Sequence, residues 1–189
     1  MSALRDAFLT VPEAAFLARV SPRLVQHEID ERIVVSRVSG GRRSVSGVDI
    51  LYLSAVRGVH GQMAPSLRRR VRNAIVHSAA QNEETANIEL FEVSLAALES
   101  EVLEGFEALE RIKRDFIEIR PEVLGGEPVL RGTRLSARLI ADLVRQGATC
   151  KELADDYDVT PDQVKAAVTF DRVTPRRGRP RQAASRSRA

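Results

Sequence analysis

The chain has 189 residues, of which 43% are hydrophobic and 29% charged, enough for one large or two small domains with ordinary cores. It contains no run of about 18 apolar residues, so no membrane-spanning helix is expected. Its single cysteine, Cys150, excludes a disulfide scaffold, a cysteine zinc finger and an iron–sulfur site within one chain. Residues 1–10 lack the charged-then-apolar order of a secretory signal, and a cytoplasmic location is the expectation.

The net charge of +3 conceals three regions of different sign. Residues 1–81 hold 12 Arg against 6 acids, residues 82–171 hold 10 Lys or Arg against 20 acids, and residues 172–189 hold 7 Arg and no acid. A basic head, an acidic body and a basic tail suit separate partners, and a basic region is the footprint of nucleic-acid contact. An ordinary solvated surface is the alternative.

Thr10 and Glu13 have the spacing of a capping box, and the helix they open runs through Ala14, Ala15, Leu17 and Ala18. Ser21-Pro22 starts a second helix almost at once, which is helix-turn-helix spacing. Leu24, Val25 and Ile29 supply its buried side; Arg23, Gln26, His27 and Asp30 form a polar stripe. Arg and Gln in such a stripe can fork onto guanine and adenine edges, so Arg23, Gln26 and His27 are read as base contacts. The run 33–38, the Ser39-Gly40-Gly41 turn and the return strand 42–46 predict a hairpin bearing Arg37, Arg42 and Arg43. Arginines there are placed to grip phosphates. Ser46 and Asp49 cap a further apolar helix.

This order over residues 8–60 resembles the DNA-binding domain of the MerR family, most closely from Gly41-Arg42-Arg43-Ser44 up to Leu53. That family usually carries Tyr where this chain has Ser44, so base specificity does not transfer. After Pro65-Ser66, Arg68, Arg69, Arg70 and Arg72 accompany an inward row of Leu67, Val71, Ala74 and Ile75. They either extend the phosphate grip or form a solvated helix face. His27, His60 and His77 lack metal-ligand spacing, and neither a metal nor any other cofactor is expected.

Residues 82–87 read as a linker and 88–95 as a strand. Leu98, Val102, Phe106, Leu109 and Ile112 then mark one face of a long helix, with Glu99, Glu101, Glu104, Glu107 and Glu110 outside. Residues 115–119 read as a strand, followed by Pro121-Glu122-Val123-Leu124-Gly125-Gly126-Glu127-Pro128-Val129-Leu130-Arg131-Gly132-Thr133-Arg134. Helices are predicted over 136–146, 149–157 and 160–170.

The Gly-Gly…Gly-Thr-Arg string with three helices resembles the bacterial domain of unknown function 433 over residues 114–171. Members of that family resemble VapB-type antitoxins, commonly partnered with a PIN-like ribonuclease toxin. The resemblance implies a small helix-turn-helix-like domain used in dimerisation, toxin neutralisation or DNA binding. Its last two helices offer Asp155, Asp156, Asp158 and Asp162 beside Gln163 and Lys165, an unfavourable set against a polyanion. Protein contacts are therefore expected there. In the tail, Arg177-Gly178-Arg179-Pro180 resembles an AT-hook; Arg176, Arg177, Gly178, Arg179 and Arg181 suit either an A·T minor groove or an acidic toxin site.

The expected fold is mainly α with small β-hairpins: an N-terminal winged helix-turn-helix and a C-terminal three-helix, helix-turn-helix-like domain. The expected divisions are 1–60 for the winged head, 61–87 for a basic helix and linker, 88–113 for a strand and acidic helix, 114–171 for the antitoxin-like domain, and 172–189 for a disordered basic tail. The expected function is an antitoxin that neutralises a PIN-like ribonuclease toxin and represses its own operon, as a homodimer on double-stranded operator DNA. A stand-alone MerR-like regulator is the alternative. No enzyme activity is expected, because the sequence shows no phosphate-binding glycine loop, nucleophile–His pair or metal-ligand set.

Overall fold

The structure is a computed structural model that describes residues 3–39, 41–88 and 91–174. It is mainly helical, with small antiparallel sheets. Its elements gather around two hydrophobic cores.

The first core begins with α1 (Ala3–Asp6), β1 (Phe8–Thr10), α2 (Val11–Leu17) and α3 (Pro22–Asp30). Thr10 donates from its backbone N and Oγ1 to Glu13 Oε2, at 2.9 and 2.7 Å, which fixes the start of α2. Arg19, at φ 54°, reverses the chain, and Ser21 Oγ accepts from Leu24 N at 3.2 Å to start α3. Strands β2 (Ser36–Ser39) and β3 (Arg42–Ser46) make a hairpin, and β1 pairs on the far side of β3 to give the order β1-β3-β2. Leu9 faces Val45 across β1 and β3, and both are buried.

Next comes α4 (Gly47–Val56), on which Ile50, Leu51, Tyr52 and Leu53 are all fully buried. A helix apolar all round belongs at the centre of a core. Its first residue must be glycine: a Cβ on Gly47 would lie 1.7 Å from Leu4 O, because α1 crosses against the α4 backbone. A short 3₁₀ turn (His60–Gln62) leads to α5 (Pro65–Ala80), whose Val71, Ile75 and Ala79 join the same core.

Here the structure departs from the expected linker. Residues Thr85–Ile88 form β4, which pairs with β5 (Phe91–Ser94), so the single strand read over 88–95 is the second arm of a hairpin. Ala86 and Ile88 are buried in the first core, as are Leu95 and Val102 of α6 (Leu95–Arg111). The first core thus runs from Leu4 to Val102. Polar composition suggested a linker at 82–87, but alternate residues of β4 point inward, and that burial decides the structure.

The second core starts where α6 unwinds through a π-helical turn (Ile112–Phe116). That turn takes up the first two residues of the strand expected at 115–119 and leaves the short β6 (Ile117–Glu118), paired with β7 (Val129–Leu130). Then come α7 (Ala137–Arg145), α8 (Cys150–Tyr157) and α9 (Pro161–Val173), within a few residues of their expected limits. Ser136, Thr149 and Thr160 each cap one of them, accepting from the backbone N–H three residues on. The Gly-Thr-Arg turn closes on itself: Gly132 sits at φ 75°, Thr133 Oγ1 donates to Leu130 O at 2.8 Å, and Leu135 N donates back to Thr133 Oγ1 at 3.0 Å. Among the described residues, no helix is long and apolar enough to cross a membrane.

The cores touch through α2. Lys113 Nζ lies 2.7 Å from Glu13 Oε1 and 2.9 Å from Glu110 Oε1, and the Arg172 guanidinium lies 5.7 Å from the centre of the Phe16 ring. Burial alone raises the Glu13 carboxyl, but hydrogen bonds from Lys113 and Thr10 outweigh it and hold the group below 4.5. Burial lowers the Lys113 ammonium, and Glu13 and Glu110 outweigh that to hold it above 10.5. The pair's stabilisation is therefore present between those values, lost as pH falls through the depressed Glu13 pKa, and lost as pH rises through the raised Lys113 pKa. Lys113→Met is expected to cost about 1 kcal/mol near neutrality, with the difference from wild type shrinking below pH 4.5. Urea denaturation across pH measures it; a difference unchanged down to about pH 3 would show that the ion pair contributes nothing.

Candidate nucleic-acid interface

Helix α3 presents Arg23, His27 and Asp30 to solvent, with Gln26 half-buried beside them. Gln26 Nε2 donates to Asp30 Oδ1 at 2.8 Å, and Arg43 Nη1 donates to the same oxygen at 3.2 Å. One exposed carboxylate therefore gathers a helix residue and a hairpin residue into a single polar patch. Strand pleating divides the hairpin arginines. Arg43 pairs across from Val38 on the side of the sheet that turns toward α3, whereas Arg37 pairs across from Ser44 on the opposite side. The Arg37 guanidinium stacks 4.2 Å from the centre of the Phe8 ring. Arg42 alternates with Arg43 and shares the Arg37 side. The six expected DNA contacts are all outside the core, but only Arg23, Gln26, His27 and Arg43 share the α3 side. Arg176, Arg177, Gly178, Arg179 and Arg181 lie outside the described residues.

What holds α3 in place is not legible in the sequence. Glu28, which no local pattern singles out, is wholly buried, while Leu24 is only half-buried. Its Oε2 accepts from Tyr52 on α4 at 2.5 Å, and its Oε1 contacts Arg68 of α5 and lies 2.8 Å from His60 Nε2 on the 3₁₀ turn. Burial pushes the Tyr52 phenol up and the Arg68 guanidinium down. A second buried pair lies close by: Arg72 Nε donates to Asp49 Oδ1 at 2.6 Å, and Asp49 also accepts from Ser46 Oγ at 2.8 Å.

These contacts correct the reading of the second arginine cluster. Arg68 and Arg72 turn inward to balance buried carboxylates and do not join a phosphate grip; Arg69 is exposed. The sequence carries only a weak signal of this: Arg68 and Arg72 are four apart, which puts them on the same face.

The acidic row on α6 also differs from its expected role. Glu99 pairs with Arg5, and Glu101 lies 2.6 Å from Arg57 Nη1 and 3.1 Å from Arg19 Nη1. The Arg57 hydrogen bond holds Glu101 below its ordinary range. These acids bind the basic head, while Glu104 and Glu107 face solvent. Beside them a cavity of about 810 Å³ opens between Phe16, Arg19, Val20, Glu104, Gly105 and Arg172.

In the second core, Gln163 Oε1 accepts from Thr160 N at 2.8 Å and Lys165 lies 3.1 Å from Asp162. Gln163 and Lys165 are thus both engaged at the start of the last helix. Asp155 and Asp156 are exposed, and Asp158 ends α8 at φ 53°. Cys150 is half-buried against the second core.

Residues 117–170 match the family described as protein of unknown function (DUF433). The matched stretch spans β6 through almost all of α9, the same elements that enclose the second core. Over most of its length the chain is similar to the uncharacterized protein y4eO of Sinorhizobium fredii (strain NBRC 101917 / NGR234). The two are 26% identical over 192 residues, covering 92% of this chain and 84% of that protein. Among solved structures it is similar to Rv2018 from Mycobacterium tuberculosis, at 19% identity and a TM-score of 0.33, covering 87% of this chain and 99% of that one.

The buried Glu28–Arg68 pair yields a sharp expectation. Glu28→Ala leaves Arg68 buried without its counter-ion and is expected to cost about 3–5 kcal/mol. The double change Glu28→Met with Arg68→Met removes both charges and is expected to recover most of that loss. Urea unfolding of the three proteins decides it; a double variant as unstable as the single one would mean that the ion pair itself, not the stranded charge, sets the cost.

Proposed function

We propose that this chain is the antitoxin of a type II toxin–antitoxin pair, binding its own operator through the N-terminal core and a PIN-like ribonuclease toxin through the C-terminal part. In this reading the first core is a winged helix-turn-helix: α2 and α3 are the paired helices, and the β2–β3 hairpin is the wing. The observation that carries the DNA half is the meeting of Gln26 and Arg43 on the Asp30 carboxylate, which joins the recognition helix and the wing in one patch. Arg23, Gln26 and His27 then face base edges and Arg43 a phosphate, with Arg37 and Arg42 reaching the flanking backbone from the other side of the wing. An exposed pair such as Arg43–Asp30 is worth about 1 kcal/mol or less, so a phosphate can readily take the arginine over.

The toxin half rests on the resemblance of the family matched at 117–170 to VapB-type antitoxins. The exposed acids of α8 and the locally engaged groups of α9 favour protein over DNA as the partner of that core. The tail arginines 176–181 would enter the acidic, metal-holding site of the nuclease or, alternatively, an A·T-rich minor groove. A homodimer on a palindromic operator would place half-sites about one helical turn apart.

A second reading, a stand-alone MerR-like regulator that senses a ligand, is favoured by the cavity of about 810 Å³ between α2, α6 and α9. Expression of the native operon with an untagged neighbouring nuclease separates the two. The antitoxin reading expects a stable complex and loss of RNA cleavage on adding this chain; nuclease activity unchanged by stoichiometric chain would reject it. Incubated alone with RNA and a divalent metal, the chain is expected to cleave nothing.

The DNA half is tested by a salt titration of binding to duplex from upstream of its own gene. Arg42→Ala and Arg43→Ala are each expected to flatten the slope of log K against log salt by about one unit for every phosphate left without its arginine. An unaltered slope in both variants would remove the wing from the interface.

A further inference from the structure

We infer that His27, Glu28 and His60 form a binding site for a divalent transition-metal ion of the zinc class, joining α3 to the 3₁₀ turn. The ligand atoms of these three side chains all lie within 4.8 Å of one another, although 32 positions separate Glu28 from His60. The His27 and His60 rings meet edge to face with centres 5.9 Å apart. Exposure is graded across the site: Glu28 is at 0%, the His60 side chain at 16%, and His27 is open to solvent. A cation can therefore arrive from outside and end on a buried carboxylate. Two imidazoles with one carboxylate form a set that suits Zn²⁺, Co²⁺ or Ni²⁺ better than Mg²⁺ or Ca²⁺, with water completing the shell. Tyr52, donating to Glu28 Oε2 at 2.5 Å, supplies the outer-shell contact that orients such a carboxylate.

A second observation points to the same place. His60 Nε2 lies 2.8 Å from Glu28 Oε1 and also 2.8 Å from Arg68 Nη1, which itself donates to that carboxylate oxygen. A protonated Nε2 satisfies Glu28 but opposes the Arg68 N–H; a bare Nε2 satisfies Arg68 but opposes the carboxylate. No protonation state of His60 satisfies both contacts while Glu28 is ionised and Arg68 charged. Arg68 Nε, also buried, has no hydrogen-bond partner among the described residues. The arginine therefore holds the cationic position between these donors imperfectly. A metal ion there accepts electron pairs from the carboxylate and both neutral imidazoles, and releases the guanidinium and any proton on the rings. Metal binding at this site does not depend on whether α3 meets DNA.

The test uses the untagged full chain, stripped with a chelator and dialysed, then titrated with Co²⁺ by absorption spectroscopy and with Zn²⁺ by calorimetry. One ion per chain is expected, with visible bands of low-coordinate Co²⁺ that Zn²⁺ abolishes. His27→Gln, at an exposed position, and His60→Gln are each expected to weaken binding by about tenfold or more. His77→Gln and Cys150→Ser are expected to leave it unchanged. Arg68→Ala, which removes the competing cation, is expected to bind Zn²⁺ more tightly than wild type and to recover on metal addition the melting temperature it loses without it. Absence of saturable binding, binding indifferent to both His27 and His60, or weaker binding by a folded Arg68→Ala would each overturn the site. If Arg68→Ala does not fold, the two histidine variants decide it.

Discussion

A carboxylate shut away from solvent has to be answered by the residues around it, and Glu28 is answered from three directions at once. Tyr52 reaches it from α4, His60 from the turn that follows and Arg68 from α5. Desolvating an ionised carboxyl costs several kcal/mol, so those partners are obliged to stay where they are. The consequence is geometrical. Helix α3, whose outer stripe carries Arg23, Gln26 and His27, is held to the interior by the residue immediately after that stripe's His27. Rigid support beneath a polar surface is what a site needs if its side chains are to meet a partner in fixed register.

The same demand explains why charge is shared between parts of the chain that look separate in composition. Arg5 meets Glu99, Arg19 and Arg57 meet Glu101, and Glu13 meets Lys113. Each pair joins the basic head to α6 or to the turn beyond it. The head and the body are therefore not two independent fields of opposite sign. Part of the positive charge is neutralised internally; of the exposed arginines, Arg23 and Arg43 lie on the α3 side of the hairpin, and Arg37 and Arg42 lie on its other side.

Local signals are the reliable part of the sequence. Ser21, Ser46, Ser136, Thr149 and Thr160 are all readable as helix starts, because a cap depends on a hydroxyl and a backbone N–H three residues away. The hairpin at 36–46 is readable from its β-branched run and glycine turn. The stretch 82–87 misleads because strand β4 gains its stability from pairing with β5 and from burying Ala86 and Ile88, neither of which its polar composition announces. The strand expected at 115–119 is cut short for the converse reason: α6 carries its winding on into that stretch as a π turn.

The amino-acid order by itself determined where the helices capped by Ser21, Ser46, Ser136, Thr149 and Thr160 begin, which residues form the α3 stripe and the arginine-bearing hairpin, and the family likeness at 117–170, since all of these live within a few neighbouring residues or one contiguous motif. Tertiary structure alone decided which arginines face outward, which acids are consumed inside, and that His27 and His60 come together. An ion pair between Glu28 and Arg68 spans 40 positions. Burial and pairing at that separation depend on how helices pack, and no local pattern of residue types encodes it.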